Sequence, residues 1–172
     1  MSAPDSALIV ARIGKPFGLK GLVRFRMLCG FPQLFSVSRK FKAALGGKEK
    51  TLIVDRADPS HMLMGFDGYN TPEEAAKLTG YGLFTTISET RSAVRLKKNE
   101  HFWFDVIGLF AMENGAKLGV VKEIREGEPA MIVIAPIGKK QRLIVPYDDH
   151  FIIGVQEGNL IVRHCAELIE AL

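Results

Sequence analysis

Short apolar runs, each closed by a glycine-bearing turn, limit this chain's folding options more than any other feature. Seventeen glycines punctuate the sequence, and Val, Ile, Phe and Thr recur between them, a pattern that favours strands and tight turns over long helices. Leu22-Val23-Arg24-Phe25-Arg26-Met27 alternates strictly. A period of two places Arg24 and Arg26 on one face and Val23, Phe25 and Met27 on the other. Phe41 to Leu45 and Thr51 to Arg56 flank Gly46-Gly47 and predict a hairpin, because paired glycines accept the positive φ angles of its turn.

The same reading continues along the chain. Leu8 to Ile13, Met62 to Phe66 and Leu83 to Ile87 are strand candidates. Thr71-Pro72-Glu73-Glu74 opens the clearest helix: Thr71 caps, Pro72 suits the first position, Glu74 completes a capping box, and Gly80 ends it. Further on, hairpins are predicted from Ile107 to Ile124 about Asn114-Gly115, from Ala130 to Val145 about Gly138-Lys139, and from Val155 to Val162 about Gly158. Ala166 to Leu172 closes as a short helix. The expected architecture is mainly β: two small barrels in tandem, since closure hides strand edges. The expected domains are residues 7–87 and 100–172, joined by a basic linker over 88–99.

Charge is unevenly spread. Residues 1–90 carry 12 basic and 8 acidic side chains, and 91–99 add Arg91, Arg95, Lys97 and Lys98 with no acid. Residues 100–172 carry 7 basic and 11 acidic side chains. A polyanion is drawn to the first half and the linker and repelled by the rest. Lys15, Lys20, Arg24 and Arg26 on the first domain, with Arg91, Arg95, Lys97 and Lys98 on the linker, are the candidate RNA-proximal residues. His101-Phe102-Trp103-Phe104-Asp105 is the densest aromatic patch and directly follows the linker. His101, Phe102 and Trp103 are the candidate anchors for a protein partner; the patch reads as a strand, with Phe102 and Phe104 on the face that belongs to the core.

Motifs for catalysis are sparse. Gly14 to Gly21 matches neither G-x-x-x-x-G-K-[ST] nor G-x-G-x-x-G, and the four histidines lack H-x-x-x-H spacing. Asp148-Asp149-His150 follows Pro146-Tyr147 and reads as an exposed turn. Cys29 and Cys165 have no metal-ligand spacing and read as free thiols. No catalytic residue, metal or cofactor is assigned. With no apolar stretch of the ~20 residues a membrane span requires, the chain reads as a soluble cytoplasmic monomer.

Five segments together resemble the RimM family of ribosome maturation factors. Ala11 to Arg24 is similar to that family's opening G-[LI]-K-G signature, and Thr71 to Gly80 to its E-x-A-x-x-L-x-G helix. His101 to Leu109 is similar to the Y-Y-x-x-D-L-x-G entry to its second domain. Gly119-Val120-Val121 and Leu143-Ile144-Val145-Pro146-Tyr147 match its later elements. The resemblance implies an N-terminal six-stranded barrel like those of translation factors and a C-terminal PRC-type barrel. It implies a non-catalytic assembly factor that binds the immature small ribosomal subunit and contacts small-subunit ribosomal protein nineteen in the head. Such a factor supports small-subunit rRNA processing. The family's tyrosine pair falls on His101 and Phe102, and Phe17 stands where the family often has His. Two other readings stay open on the residues alone: a flavin- or nucleotide-binding barrel enzyme, and a general RNA-binding module of translation.

Overall fold

The computed structural model describes residues 7–97, 101–125 and 130–172, and the chain divides into two compact units, Met1–Arg95 and Leu96–Leu172. The first unit holds β1 (Ala7–Phe17), β2 (Leu22–Met27), β3 (Lys40–Leu45), β4 (Lys48–Asp58), β5 (Leu63–Phe66) and β6 (Gly82–Thr86), with helices α1 (Pro72–Ala76) and α2 (Ile87–Ala93). Its strands close into a barrel in the order β1-β2-β5-β4-β3-β6, and every pairing is antiparallel. The second unit holds α3 (Trp103–Val106), β7 (Phe110–Glu113), β8 (Ala116–Arg125), β9 (Met131–Pro136), β10 (Leu143–Pro146), β11 (Ile152–Gln156), β12 (Asn159–Val162) and α4 (Cys165–Glu170). Its six strands run in the order β10-β9-β8-β7-β12-β11 and stay open. The mainly β expectation with little helix holds, with one sheet closed and the other not.

Local rules explain most elements. In β2 Val23 and Phe25 are buried while Arg24 and Arg26 are exposed, as alternation requires. Gly46 and Gly47 carry φ of 55° and 80° at the β3–β4 turn, the double positive φ that matches strand twist. Thr71 and Glu74 form the capping box reciprocally. The barrel interior is filled by Ile13, Val23, Phe25, Phe41, Leu52, Val54, Met64, Phe66 and Leu83. The second core gathers Val106, Val121, Ile132, Ile134, Val145, Leu160 and Val162, with Cys165 and Ile169 from α4.

The structure departs from the sequence reading in four places. β1 continues to Phe17, so the glycine turn contracts to Gly18–Gly21. Bulges between Ile9 and Ala11 and between Ile13 and Pro16 bend this strand. The first lets the successive residues Val10 and Ala11 both face inward. Between β2 and β3, a 3₁₀ turn at Pro32–Leu34 buries Leu34, and Phe35 just beyond it joins Phe25 and Phe41 at ring distances of 4.9 and 5.7 Å. No alternation marks that stretch. Ile107 to Leu109 is not strand: α3 precedes it, and Gly108 turns the chain at φ 89°.

The fourth departure is α2, which occupies Ile87–Ala93 and so covers the first half of the segment that composition assigns to a linker. Thr86 accepts from the Glu89 amide at 3.1 Å, and Glu89 Oε2 accepts from the Thr86 amide at 2.9 Å. Buried Thr85 donates to the same carboxylate at 2.8 Å. This Thr85 hydroxyl hydrogen bond, aided by the Thr86 amide and opposed by burial, holds the Glu89 carboxyl below its ordinary value. A carboxyl lowered in the folded state contributes stability above its unfolded pKa and loses it as pH falls through the folded one. Thr86→Ala is therefore expected to cost about 1 kcal/mol at neutral pH. Glu89→Gln is expected to be less stable than wild type at pH 7, and the gap should narrow as pH drops below 4.5. Denaturant midpoints at pH 7 and pH 3 measure both; a gap of constant size would remove Glu89 from this role.

Candidate binding surfaces

The β1–β2 hairpin carries the basic face of the first unit. Arg12, Lys15, Lys20, Arg24 and Arg26 are all exposed. Arg12 and Arg26 are direct cross-strand partners, so two like charges sit side by side on the outer face. Arg24 lies over the Phe17 ring at 4.7 Å. Phe17 is 39% exposed and Leu19, at the tip of the turn, 86%. Four of these cations were legible as candidates, whereas Arg12 was not. Its place beside Arg26 depends on the register across the bulge, which no local pattern reveals.

The turn is held from below. Gly21 is buried with φ 73°, and a Cβ there would fall 2.1 Å from the Tyr69 carbonyl oxygen. The segment leading into α1 thus rests directly on the turn. An Arg56 guanidinium N–H donates to the Lys20 carbonyl, while its Nε donates to Asp55 at 3.1 Å. Thr79 donates to the Gly14 carbonyl at 3.1 Å. These contacts fix the backbone from which Lys15 and Lys20 project.

Of the cations read in the linker, Arg91 lies in the last turn of α2, where its charge suits the helix dipole. Arg95 and Lys97 are exposed. Lys98 lies outside the described residues.

In the second unit the aromatic patch is a helical turn rather than a strand. Phe102 is buried, at 5% exposure, and stacks on Phe104 at 4.9 Å with planes 9° apart. Trp103 meets Phe104 edge-on at 5.0 Å and is half-buried. His101 Nε2 accepts from the Val155 amide of β11 at 3.3 Å. The three candidate anchors therefore occupy different places: His101 ties the segment to β11, Phe102 packs inside, and Trp103 is partly available at the surface.

Clusters that suggest chemistry resolve into structural devices. Ser60, His61 and Asp58 lie together, but Asp58 and Ser60 both meet His61 at Nδ1, at 2.8 and 3.3 Å. The ring therefore cannot relay a proton from the hydroxyl at one nitrogen to a carboxylate at the other. Asp58 instead caps a 3₁₀ turn, accepting from the His61 amide. Asp148 accepts from the amides of His150 and Phe151 and closes the turn expected there. Burial, then the Glu113 charge, pushes the Cys165 thiol up to about 12, so it stays protonated and poorly nucleophilic. Glu113 itself accepts from the Cys165 and Ala166 amides at 3.2 and 2.6 Å and caps α4. Among the described residues no group of three His, Cys, Asp or Glu side chains is placed to hold a metal. No helix there is long and apolar enough to cross a membrane.

A closed barrel bearing a basic hairpin, followed by an open β unit with an aromatic turn, defines a tandem β protein. Comparison with known proteins gives the family. A profile of the RimM N-terminal domain matches residues 8–90. The ribosome maturation factor RimM of Sulfurimonas denitrificans is 32% identical, covering 99% of both chains. That of Campylobacter curvus is 36% identical over 94% of this chain and 95% of its own. That of Helicobacter pylori is 28% identical over 96% and 98%. A crystal structure of a 16S ribosomal RNA processing protein RimM from Pseudomonas aeruginosa covers 94% of this chain and 99% of its own, at 19% identity and a TM-score of 0.45. This chain belongs to the RimM family.

Proposed function

We propose that this protein is a non-catalytic maturation factor of the small ribosomal subunit, binding the immature particle and supporting rRNA processing. The observation that carries this reading is full-length similarity to proteins named ribosome maturation factor RimM. The division of charge agrees with it. Residues 1–90 carry 12 basic and 8 acidic side chains, and Arg91, Arg95, Lys97 and Lys98 add four cations in the sequence that follows, a balance suited to rRNA. The acidic second unit suits a basic ribosomal protein, which on the family resemblance is small-subunit protein nineteen. His101, Phe102 and Trp103 form the docking element, with Trp103 in contact and the other two holding it in place. Binding favours one arrangement of the subunit head over others, and so biases assembly.

The test is co-sedimentation of the purified full chain with immature and mature small subunits at increasing salt. Retention with immature particles, weakened by salt and by charge reversal at Arg95, Lys97 and Lys98, is expected. Absence of the protein from both particle fractions at low salt would overturn the proposal.

A further inference from the structure

We infer that Arg12 and Arg26 form a two-guanidinium fork that grips one phosphate of an RNA backbone, an inference that rests on the ribosomal reading above. The two residues are direct partners in the antiparallel β1–β2 ladder, with side chains on the same outer face. Both are exposed, and neither has a carboxylate partner among the described residues. Like charges placed directly opposite oppose folding, so the arrangement works against the barrel it sits on. An anion between the guanidinia reverses the sign of that term. Each guanidinium offers a planar set of N–H donors and no acceptor. A phosphodiester offers acceptors only, and forked guanidinium donors match it closely.

The row continues along the same hairpin. Arg24 lies over the Phe17 ring, Lys15 precedes the turn and Lys20 sits within it; none of the three has a carboxylate partner among the described residues. From the Arg12–Arg26 pair to the turn is about six residues, or roughly 20 Å of strand. A line of cations of that length matches the repeating charge of a nucleic-acid strand. An acidic protein segment would match it only if its carboxylates recurred at the same spacing.

Filter binding to purified small-subunit rRNA over a range of salt tests the fork, using wild type, Arg12→Gln, Arg26→Gln and the double variant. If both arginines share one phosphate, the double variant should lower the salt slope by about 0.7 to 0.9, the contribution of a single phosphate contact. Each single variant should weaken binding several-fold, and the double about tenfold, less than the product of the two singles. Melting temperatures should stay level or rise, because a like-charge contact has been removed. Variants that bind RNA as wild type does, with the same slope, would overturn the fork and leave the ribosomal reading standing. A fall in melting temperature in both single variants would also overturn it, by making the pair structural. Poly-L-glutamate that displaces the rRNA at equal charge concentration would assign the fork to an acidic protein instead. A wild-type chain that binds neither small subunits nor rRNA would overturn the functional reading itself, and the fork with it.

Discussion

Gly21→Ala is expected to destabilise the first unit by on the order of 3 kcal/mol, while Gly18→Ala, three residues away in the same turn, costs only about 1 kcal/mol. Both glycines have positive φ, 73° and 66°, so both substitutions bear the left-handed backbone cost. They differ in what a methyl group would meet. At Gly18 nothing lies within 4 Å, whereas at Gly21 the new Cβ would sit 2.1 Å from the Tyr69 carbonyl oxygen and 2.8 Å from the Asn70 carbonyl carbon. Those are backbone atoms, and the segment they belong to is pinned two residues later by the α1 capping box. Either the turn or the entrance to α1 must move. For a unit of this size 3 kcal/mol corresponds to roughly 12–24 °C in Tm. Thermal unfolding of the two full-length variants measures the difference, and equal shifts would show that the close approach does not hold the turn. RNA affinity should fall with Gly21→Ala even where the protein remains folded, because the turn positions Lys20.

Much of the barrel is legible in the sequence because its signals are local. The alternation of Leu22 to Met27, the Gly46-Gly47 pair and the Thr71 to Glu74 capping box each need only a few neighbouring residues to be read. What escapes is non-local or masked by composition. Val10 and Ala11 are both buried because of a bulge set by pairing with β6. Leu34 and Phe35 fill the core from a segment with no period at all. The polar run from Ser88 hides a helix, although Thr86 and Glu89 repeat the spacing of Thr71 and Glu74. There the capping signal outweighs the weak apolar periodicity. The basic hairpin follows the same division: Arg24 and Arg26 follow from parity, but the pairing of Arg26 with Arg12 requires a register that two bulges decide. The aromatic patch keeps Phe102 in the core as alternation predicts, but its conformation differs for a related reason. A helical turn at Trp103–Val106 replaces the strand, so alternation no longer assigns faces to Phe102, Trp103 and Phe104.

That change of face separates two variants that composition alone treats as equivalent. Phe102→Ala deletes a buried ring stacked on Phe104 and should cost about 3–5 kcal/mol, enough to unfold the second unit at moderate temperature. Lost binding in that variant would report lost structure. Phe102→Leu keeps most of the apolar volume and should stay folded, with a cost nearer 1 kcal/mol. Trp103 is half-buried on the edge of the same stack. Trp103→Ala should therefore leave the unit folded, yet weaken docking to the proposed ribosomal-protein partner by about thirtyfold or more, as expected for an aromatic hot spot of at least 2 kcal/mol. Circular dichroism through the melt and titration of purified small-subunit protein nineteen separate the two effects. The anticipated order for stability is wild type, Trp103→Ala and Phe102→Leu close together, then Phe102→Ala far below. For affinity, Phe102→Leu should stay near wild type while Trp103→Ala falls away. A Trp103→Ala protein that docks as tightly as wild type would move the contact off this turn, leaving Phe102 and Phe104 as core residues and His101 as the tether to β11.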